Sequence, residues 1–245
     1  MMSAGSLLTG ARKVAGRFED ALFPPTCGGC GKRGTWLCSR CQKQLQAMPA
    51  TVCRCGVPHR SDGQCANTAG WPAGLIEMRA GFRFSGPIRQ SIHYFKYGGE
   101  YARGPVLGAM LAEQVVDHWR LLPMPDLIVP IPLFSRRQRQ RGYNQSEILA
   151  LAVGETFDVA VTNSLTRQFD TPPQVGLDAS SRRQNVDGVF KCNAPAGELE
   201  DLHVLLVDDV ITTGSTMLSA ARAVLDAGAL EVSCLALARQ LSRDR

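Results

Sequence analysis

The chain has 245 residues, of which 44% are hydrophobic, and it carries a formal net charge of +5. This length is sufficient for one domain of ordinary size and a small appendage, and so mild a charge suits anionic small molecules as well as nucleic acid. No apolar run approaches the roughly 20 residues that a transmembrane helix requires. The first 24 residues favour an amphipathic helix over a secretory signal, because basic residues are spread through them. We therefore expect neither secretion nor membrane insertion.

Cysteine usage indicates a metal rather than disulfides. Nine cysteines are present, and seven of them lie between Cys27 and Cys65. A secreted disulfide framework more often has an even number of cysteines and follows a signal peptide. Clustered thiols without such a signal are typical of metal binding in a reducing compartment. A cytoplasmic location is therefore predicted.

The first cysteine group consists of two Cys-x-x-Cys pairs separated by seven residues. Each pair can hold an ion from one tight turn, and two such turns complete a tetrahedral site with four thiolates. We predict structural zinc, because the ion replaces a core that so short a segment cannot build. Free or redox-active thiols are the alternative. Metal removal is expected to destabilise this segment and to leave the rest of the chain able to bind its ligand. The predicted zinc ligands are Cys27, Cys30, Cys38 and Cys41.

A second cysteine group is less regular. Cys53 and Cys55 form a Cys-x-Cys pair, Cys65 follows alone, and His59 lies between them. Three thiols and one imidazole can bind zinc, but this spacing does not match a regular ribbon. Whether these residues hold a second zinc ion stays open.

The next segments predict alternating helices and strands. A helix over residues 88–97 ends at a glycine pair, which leaves Lys96 near its carboxyl end. There Lys96 either contacts a phosphate or stabilises the helix dipole. A second helix is predicted over residues 105–122, and a buried strand over residues 127–131.

Four arginines follow that strand within six positions. Guanidinium groups just beyond the carboxyl end of a strand can neutralise a pyrophosphate through bidentate contacts. A solubilising surface loop or a nucleic-acid contact is the alternative. A helix over residues 145–156 and a short strand over residues 159–161 come next. The arginines are Arg136, Arg137, Arg139 and Arg141.

A long polar stretch over residues 167–185 comes before the last strands. A structureless segment of this length in a compact domain is more often a lid or a linker than packing. Because it comes just before the strand that we expect to carry the site, it is placed to cover a substrate. Disorder without function is the alternative.

The strand at residues 204–207 has the apolar, β-branched character of a buried parallel strand. Asp208 and Asp209 follow it, at the edge where open α/β sheets bind ligands. A loop of small and hydroxyl residues comes next, and residues 217–227 predict a helix. Hydroxyls and backbone N–H groups at a helix start form an anion site, whereas the acidic pair suits a ribose diol or a metal. The loop residues are Thr212, Thr213, Gly214, Ser215 and Thr216.

This acidic pair and loop resemble the phosphoribosyl-pyrophosphate (PRPP) motif of type I phosphoribosyltransferases. Over nearly the whole chain, the order of motifs resembles the ComF family, also called the GntX family, of bacterial cytoplasmic proteins associated with DNA uptake during transformation. The chain departs from that family at the second cysteine group, where one partner expected near Thr68 is absent. The matching segments are residues 23–27, the two Cys-x-x-Cys pairs, and residues 93–97, 129–132, 139–145, 171–174 and 204–216, with Arg182 and Asn185.

The resemblance implies an α/β fold, a type I phosphoribosyltransferase-like parallel sheet flanked by helices, with a small N-terminal zinc-binding segment. The implied division is an N-terminal helix (1–24), a double zinc ribbon with a degenerate second half (25–70) and the transferase-like domain (71–245). It further implies Mg²⁺-dependent transfer of phosphoribose from PRPP to an acceptor that the sequence does not identify. In these roles Asp208 and Asp209 orient the ribose, the hydroxyl loop holds the 5′-phosphate, and Arg137 and Lys96 meet the pyrophosphate.

Two other functions fit the same residues. A non-catalytic sensor would bind PRPP or a nucleotide and report it to a partner, since fold alone does not settle function. A single-stranded DNA-binding accessory protein, linked to DNA uptake, would use the zinc segment and the arginines. The low aromatic content, 7%, argues against the latter.

Overall fold

The computed structural model describes residues 24–49, 53–58, 65–119, 124–169 and 188–241. The predicted N-terminal helix, His59 and the greater part of the predicted lid lie outside these residues. The helices are α1 (Ser39–Gln42), α2 (Gly86–Tyr97), α3 (Arg103–Trp119), α4 (Ser135–Arg141), α5 (Gln145–Phe157) and α6 (Ser215–Leu225). The strands are β1 (Leu75–Arg83), β2 (Leu127–Pro130), β3 (Leu165–Arg167), β4 (Phe190–Cys192), β5 (His203–Ile211) and β6 (Glu231–Arg239).

Four of these strands form a parallel sheet in the order β1-β6-β5-β2. Strand β5 is central, and alternate residues point to opposite faces. Leu205 and Val207 pack with α2, α3 and α5 on one face, whereas Val204 and Leu206 pack with α6 on the other. Burial on both faces explains the continuous apolar run in this strand.

The structure changes two local predictions and adds one element. Strand β5 continues to Ile211, so the acidic pair lies within the strand rather than after it. Residues 159–161 form a single bridge, between Val161 and Ile128, and no strand. The arginine run, to which no element was assigned from the sequence, forms helix α4. Pairing with β6 extends strand β5 to Ile211, and short-range patterns do not reveal such pairing.

The cysteine-rich segment covers the outer edge of β1. The backbone of Met48 donates to the carbonyl of Gly81 at 2.9 Å, and Arg83 donates to the carbonyl of Gln46 at 2.7 Å. An uncovered edge strand would expose unpaired N–H and C=O groups. The segment is therefore joined to the sheet by backbone pairing.

None of the helices that the structure describes is both long and apolar enough to cross a membrane.

Candidate phosphoribosyl site and metal centre

The acidic pair lies where β5 loses its neighbour on one side. The last residue of β2 that pairs with β5 is Pro130, opposite Val207. Asp208 and Asp209 come directly after that position, so they border the crevice beyond the end of β2, where open parallel sheets bind ligands. Asp208 is half-buried, and Asp209 is 7% exposed.

Two groups donate hydrogen bonds to the same oxygen of Asp208. The hydroxyl of Ser146, at the start of α5, lies 2.8 Å from Asp208 Oδ1, and the backbone N–H of Asp209 lies 2.8 Å from it. Burial, followed by the neighbouring charge of Asp209, nevertheless raises the pKa of Asp208 to about 7. The sequence analysis did not identify Ser146 as a site residue, because a serine just after a helix N-cap forms no pattern that distinguishes it.

Lys96 reaches the acidic pair from the carboxyl end of α2. Its Nζ lies 2.7 Å from Asp209 Oδ1. Burial alone would lower the pKa of Lys96, but the charge of Asp209 and the hydrogen bond to it outweigh burial and raise that pKa. The structure therefore brings together Lys96, Asp208 and Asp209, three of the residues predicted to form the site.

The end of α2 is held by residues that follow the arginine run. The Tyr143 hydroxyl and the Gln145 amide both donate to the backbone carbonyl of Phe95, the latter at 3.4 Å. Carbonyls in the last turn of a helix have no partner within the helix. Tyr143 and Gln145 thus fix the helix end that carries Lys96, a positional role that their motif alone did not reveal.

The hydroxyl loop leads directly into α6. Gly214 precedes the helix with φ of +86°, a left-handed conformation that glycine adopts at little cost. The hydroxyls of Thr213 and Ser215 lie 3.0 Å apart. Thr212 and Thr213 are exposed, whereas Ser215 and Thr216 are half-buried. Exposed hydroxyls at the start of an 11-residue helix have the chemistry of a phosphate site.

Arg141 links α4 to this region. Its guanidinium carbon lies 5.0 Å from the ring centroid of Tyr97, and its Nη1 donates to Gln145 at 2.9 Å. Its positive charge also acts on Lys96 and partly opposes the rise in the pKa of that lysine. The predicted pyrophosphate contact, Arg137, lies half-buried in the same helix. Its role stays a prediction.

The acidic pair does not form a ready cage for Mg²⁺. Asp209 Oδ1 is engaged by Lys96, and Asp208 Oδ1 accepts two hydrogen bonds. In the part of the chain that the structure describes, the groups of three or more potential ligands are both made of cysteines. Mg²⁺ commonly keeps several waters and binds through substrate phosphates. These residues therefore fit an ion that arrives with its substrate.

The first cysteine cluster gathers four thiols whose Sγ atoms all lie within 4.8 Å of one another. Tetrahedral zinc with Zn–S bonds of about 2.3 Å separates its sulfurs by about 3.8 Å. Cys30 Sγ and Cys38 Sγ lie 3.7 Å apart, which matches. The cluster therefore has the donor set and the spacing of a four-thiolate zinc site. Its members are Cys27, Cys30, Cys38 and Cys41.

Acidity is unevenly distributed within the first cluster. Burial would raise the pKa of Cys27, but backbone N–H groups of Cys38, Cys30 and Gly29 outweigh it and lower that pKa to about 6. Burial, and then the neighbouring thiols, raise the pKa of Cys41 to about 12. Only an added cation can therefore favour the thiolate form of all four.

The second cluster gathers three thiols, from Cys53, Cys55 and Cys65. Cys55 Sγ and Cys65 Sγ are 3.7 Å apart, again the spacing of tetrahedral zinc. Asn67 Nδ2 lies 3.8 Å from Cys55 Sγ. The irregular spacing in the sequence is thus compatible with a cluster in space, although only three ligands lie among the described residues.

Two domain families match the chain. The phosphoribosyl transferase domain matches residues 151–245, which contain the acidic pair, the hydroxyl loop and α6. The double zinc ribbon domain matches residues 18–69, which contain both cysteine clusters. Together with the parallel sheet, these matches define the class of protein: a phosphoribosyltransferase fold with an N-terminal zinc-ribbon segment. The predicted fold class is confirmed.

Relatives match most of the chain. Competence protein F of Haemophilus influenzae is 33% identical over 207 residues, which cover 83% of this chain and 90% of that protein. DNA utilization protein YhgH of Salmonella typhi is 30% identical over 209 residues, covering 84% and 91%. Competence protein ComFC of Bacillus subtilis is 24% identical over 215 residues, covering 83% and 84%. The chain belongs to the ComF family, and the resemblance seen in its motifs is confirmed.

Among solved structures, adenine phosphoribosyltransferase from Saccharomyces cerevisiae superposes with a TM-score of 0.37 at 13% identity, covering 63% of this chain and 76% of that one. A similarity this distant does not bear on function.

Proposed function

We propose that this protein binds PRPP at the acidic pair and the hydroxyl loop and transfers its phosphoribosyl group to an acceptor. The observation that carries the proposal is the contact between Lys96 Nζ and Asp209 Oδ1, at 2.7 Å. It joins the acidic pair to a cation, directly before an anion-binding helix start. PRPP carries both a diol and phosphate groups on one sugar. A site that binds it therefore needs carboxylates for the diol and cations or N–H groups for the phosphates, side by side.

Each group has a distinct task in this proposal. Asp208 and Asp209 accept hydrogen bonds from the ribose hydroxyls, and the loop at residues 212–216 holds the 5′-phosphate. The ribose displaces Lys96 from Asp209, and the freed ammonium, with Arg137, meets the pyrophosphate. When bound with the substrate, Mg²⁺ neutralises charge on the pyrophosphate.

The reaction exchanges one bond at the anomeric carbon for another. The bond from that carbon to pyrophosphate breaks and the pyrophosphate leaves with the electron pair. A lone pair of the acceptor then forms the new bond, and the proton that the acceptor loses passes to the departing pyrophosphate. The anomeric carbon carries developing positive charge between these events, which the carboxylates of Asp208 and Asp209 stabilise.

Structural zinc in the first cysteine cluster and a cytoplasmic location belong to the same proposal. A reducing compartment keeps the four thiols available for a metal. Links to DNA uptake are proposed because relatives are called competence and DNA utilization proteins.

Calorimetry with PRPP and Mg²⁺ tests the binding step. We expect saturable binding by the wild-type chain and its loss in the Asp208→Asn/Asp209→Asn double variant, with the fold intact by circular dichroism. Glu155→Gln, an exposed change on α5, serves as the matched control. Unchanged affinity in the double variant would refute the assignment of the diol site.

Release of pyrophosphate separates the enzyme from the sensor. The chain is incubated with PRPP, Mg²⁺ and a panel of nucleobases and small amines. Acceptor-dependent release supports transfer. Tight binding without release on any acceptor supports a sensor instead.

Exposed tyrosines favour single-stranded DNA binding as a second candidate function. Tyr94, Tyr97 and Tyr101 are 46%, 67% and 54% exposed. Arg141 of the basic helix α4 lies over Tyr97. Exposed rings beside cationic side chains are the usual platform for stacking unpaired bases. Although aromatic residues are few, these three lie within eight consecutive positions, at the end of α2 and in the loop after it.

Anisotropy of a labelled oligothymidine over a salt series tests this second function. Tyr97→Ala should weaken binding about tenfold, because stacking contributes about 1–3 kcal/mol per base. Arg141→Gln should reduce the salt dependence by about one phosphate contact. Phe169→Ala removes another exposed ring and is the control. Equal losses in the Tyr97 and Phe169 variants would contradict a specific surface.

A further inference from the structure

Arg103, the first residue of α3, is fully buried at 0% exposure. Burying a guanidinium is unfavourable unless its N–H groups find partners. Here Nη1 donates to the carbonyl of Trp36 at 2.6 Å and Nη2 to the carbonyl of Thr26 at 2.9 Å. Nε donates to Glu100 Oε2 at 2.9 Å, and Nη2 also pairs with that carboxylate. The rings of Trp36 and Tyr94 lie 4.9 and 5.6 Å from its guanidinium carbon.

These partners belong to two different parts of the molecule. Thr26 directly precedes Cys27, and Trp36 stands two residues before Cys38, so both carbonyls flank the first cysteine cluster. Glu100 lies in the loop that links α2 to α3, four residues after Lys96. One side chain therefore joins the backbone around the cysteines to the loop that follows the lysine of the acidic pair.

Helix α2 also packs directly on the first cysteine turn. A Cβ on Gly28 would lie 2.2 Å from Ser91 Oγ, so only glycine allows this approach. The amide of Gln90, in its hydrogen-bonding orientation, donates to the carbonyls of Gly28 and Gly29 at 3.0 Å each. Gln90 and Lys96 are less than two helical turns apart on the same helix. The first cysteine turn therefore packs on the same helix that carries Lys96.

We propose that Arg103 is a positioning residue for the phosphoribosyl site, through which the metal-bound first cysteine cluster fixes Lys96 and residues 98–102. This inference rests on the proposed function. It leads to the opposite expectation from the separable zinc segment that the sequence suggests. Loss of the metal releases the turn whose carbonyls hold Arg103, and the loop after Lys96 loses its anchor. PRPP binding then weakens although no substrate contact has been removed.

The main test compares PRPP affinity and zinc content in the full chain. Arg103→Met keeps all four thiol ligands, so zinc content should match the wild type, whereas PRPP affinity should fall at least tenfold. Arg222→Met is the matched control, because Arg222 also donates to a backbone carbonyl, that of Gly70, but from α6. It should bind PRPP as the wild type does. An Arg103→Met chain that binds PRPP within twofold of the wild type overturns the proposal.

Thermodynamic coupling between PRPP binding and the cysteine turn can be measured, and a merely structural role of Arg103 would not produce it. If the metal-bound turn favours PRPP, PRPP must favour that turn equally. Cys30 is the exposed thiol of the cluster, so its alkylation rate, followed by mass spectrometry of its peptide, reports the state of this site. PRPP should slow this alkylation several-fold in the wild type and have no effect in Arg103→Met. A wild-type rate that PRPP does not change contradicts the inference.

Two further measurements keep the test decisive. If Arg103→Met does not fold, Glu100→Gln replaces it as the test. This variant keeps the hydrogen bonds from Arg103 to Thr26 and Trp36 and removes only the negative charge of Glu100, so PRPP affinity should fall about threefold. An unchanged PRPP affinity argues against the proposal. Hydrogen exchange over residues 96–102 should accelerate when zinc is chelated, even without PRPP. If the wild type binds no PRPP, the proposed function fails, and this exchange still decides whether the cysteine turn holds that loop.

Discussion

The acidic pair brings two carboxylates together, and the first cysteine cluster brings four potential thiolates together. The two sites differ in the source of the cation that neutralises this negative charge. At the acidic pair the chain supplies its own cation, because Lys96 lies 2.7 Å from Asp209. At the cysteine cluster four thiols surround one another, with the pKa lowered at Cys27 and raised at Cys41. Full ionisation there depends on an ion from outside the chain.

This difference separates reversible binding from structural stabilisation. The ion pair between Lys96 and Asp209 exists without a ligand. It can open when a ligand offers both side chains better partners. A four-thiolate site gains its energy only with the ion, and that energy becomes folding energy. The first arrangement suits a substrate, and the second suits a permanent metal. Substitutions at each site test this contrast.

The largest effect is expected from Cys38→Ser. Removing one of four thiolates should lower the zinc content by about one ion per chain and destabilise the zinc segment by more than about 3 kcal/mol. Elemental analysis and urea denaturation measure both. Cys192→Ser, a half-buried cysteine outside both clusters, is the control. Equal zinc content in the two variants would mean that the first cluster is not a zinc site.

Asp209→Asn should destabilise the ligand-free chain by about 2 kcal/mol, because Lys96 would remain in a largely buried place without its ion pair. Denaturation at neutral pH measures this loss. Adding Lys96→Met to that variant should recover part of the stability, since the unpaired charge is gone. If the stability losses of Asp209→Asn and Lys96→Met are strictly additive in the double variant, the two side chains do not stabilise each other's charge.

Asp208→Asn should stabilise the ligand-free chain, whereas Asp209→Asn should destabilise it. The amide oxygen can still accept hydrogen bonds from Ser146 and from the N–H of Asp209, while the charge beside Asp209 disappears. We expect the ligand-free chain to gain about 1–2 kcal/mol at pH 8, discounted for partial exposure, and to lose PRPP binding. A stabilising change that abolishes binding is typical of a residue kept for function. Loss of stability at pH 8 would contradict this account.

The gain should depend on pH. The pKa of Asp208 rises from 3.8 to about 7 in the folded chain. Between these values the folded chain holds a proton that the unfolded chain has released, so this residue's contribution to the free energy of unfolding falls as pH rises. The advantage of Asp208→Asn should therefore be near zero at pH 4 and complete above pH 7.

The smallest effect is expected from Gly214→Ala. At φ of +86° an alanine is strained, and its Cβ would lie 3.1 Å from Met78 Sδ, for a cost of about 1 kcal/mol. The same change at Gly228, at φ of +105° and with open space around it, should cost a similar amount. Thermal unfolding measures both costs. Only Gly214→Ala should weaken PRPP binding, so equal affinities would argue against a phosphate site in this loop.

Short-range patterns were sufficient for much of the fold and for the composition of both sites. The apolar run before the acidic pair predicts a buried strand, and the cysteine spacing predicts a four-thiol cluster, because each pattern lies within one or two neighbouring turns of chain. The actual length of β5 depends on its pairing with β6, and the sequence did not predict it.

The sequence by itself determined which residue types stand at the ends of the strands and at the cysteine turns, since these follow from local spacing. Tertiary structure decided what balances and positions them. Ser146 donates to Asp208 across 62 positions of sequence, and Arg103 reaches Thr26 across 77. Such contacts exist only after α2, α3 and α5 have packed on the sheet, because burial of their apolar faces, rather than any local preference, brings these polar groups together.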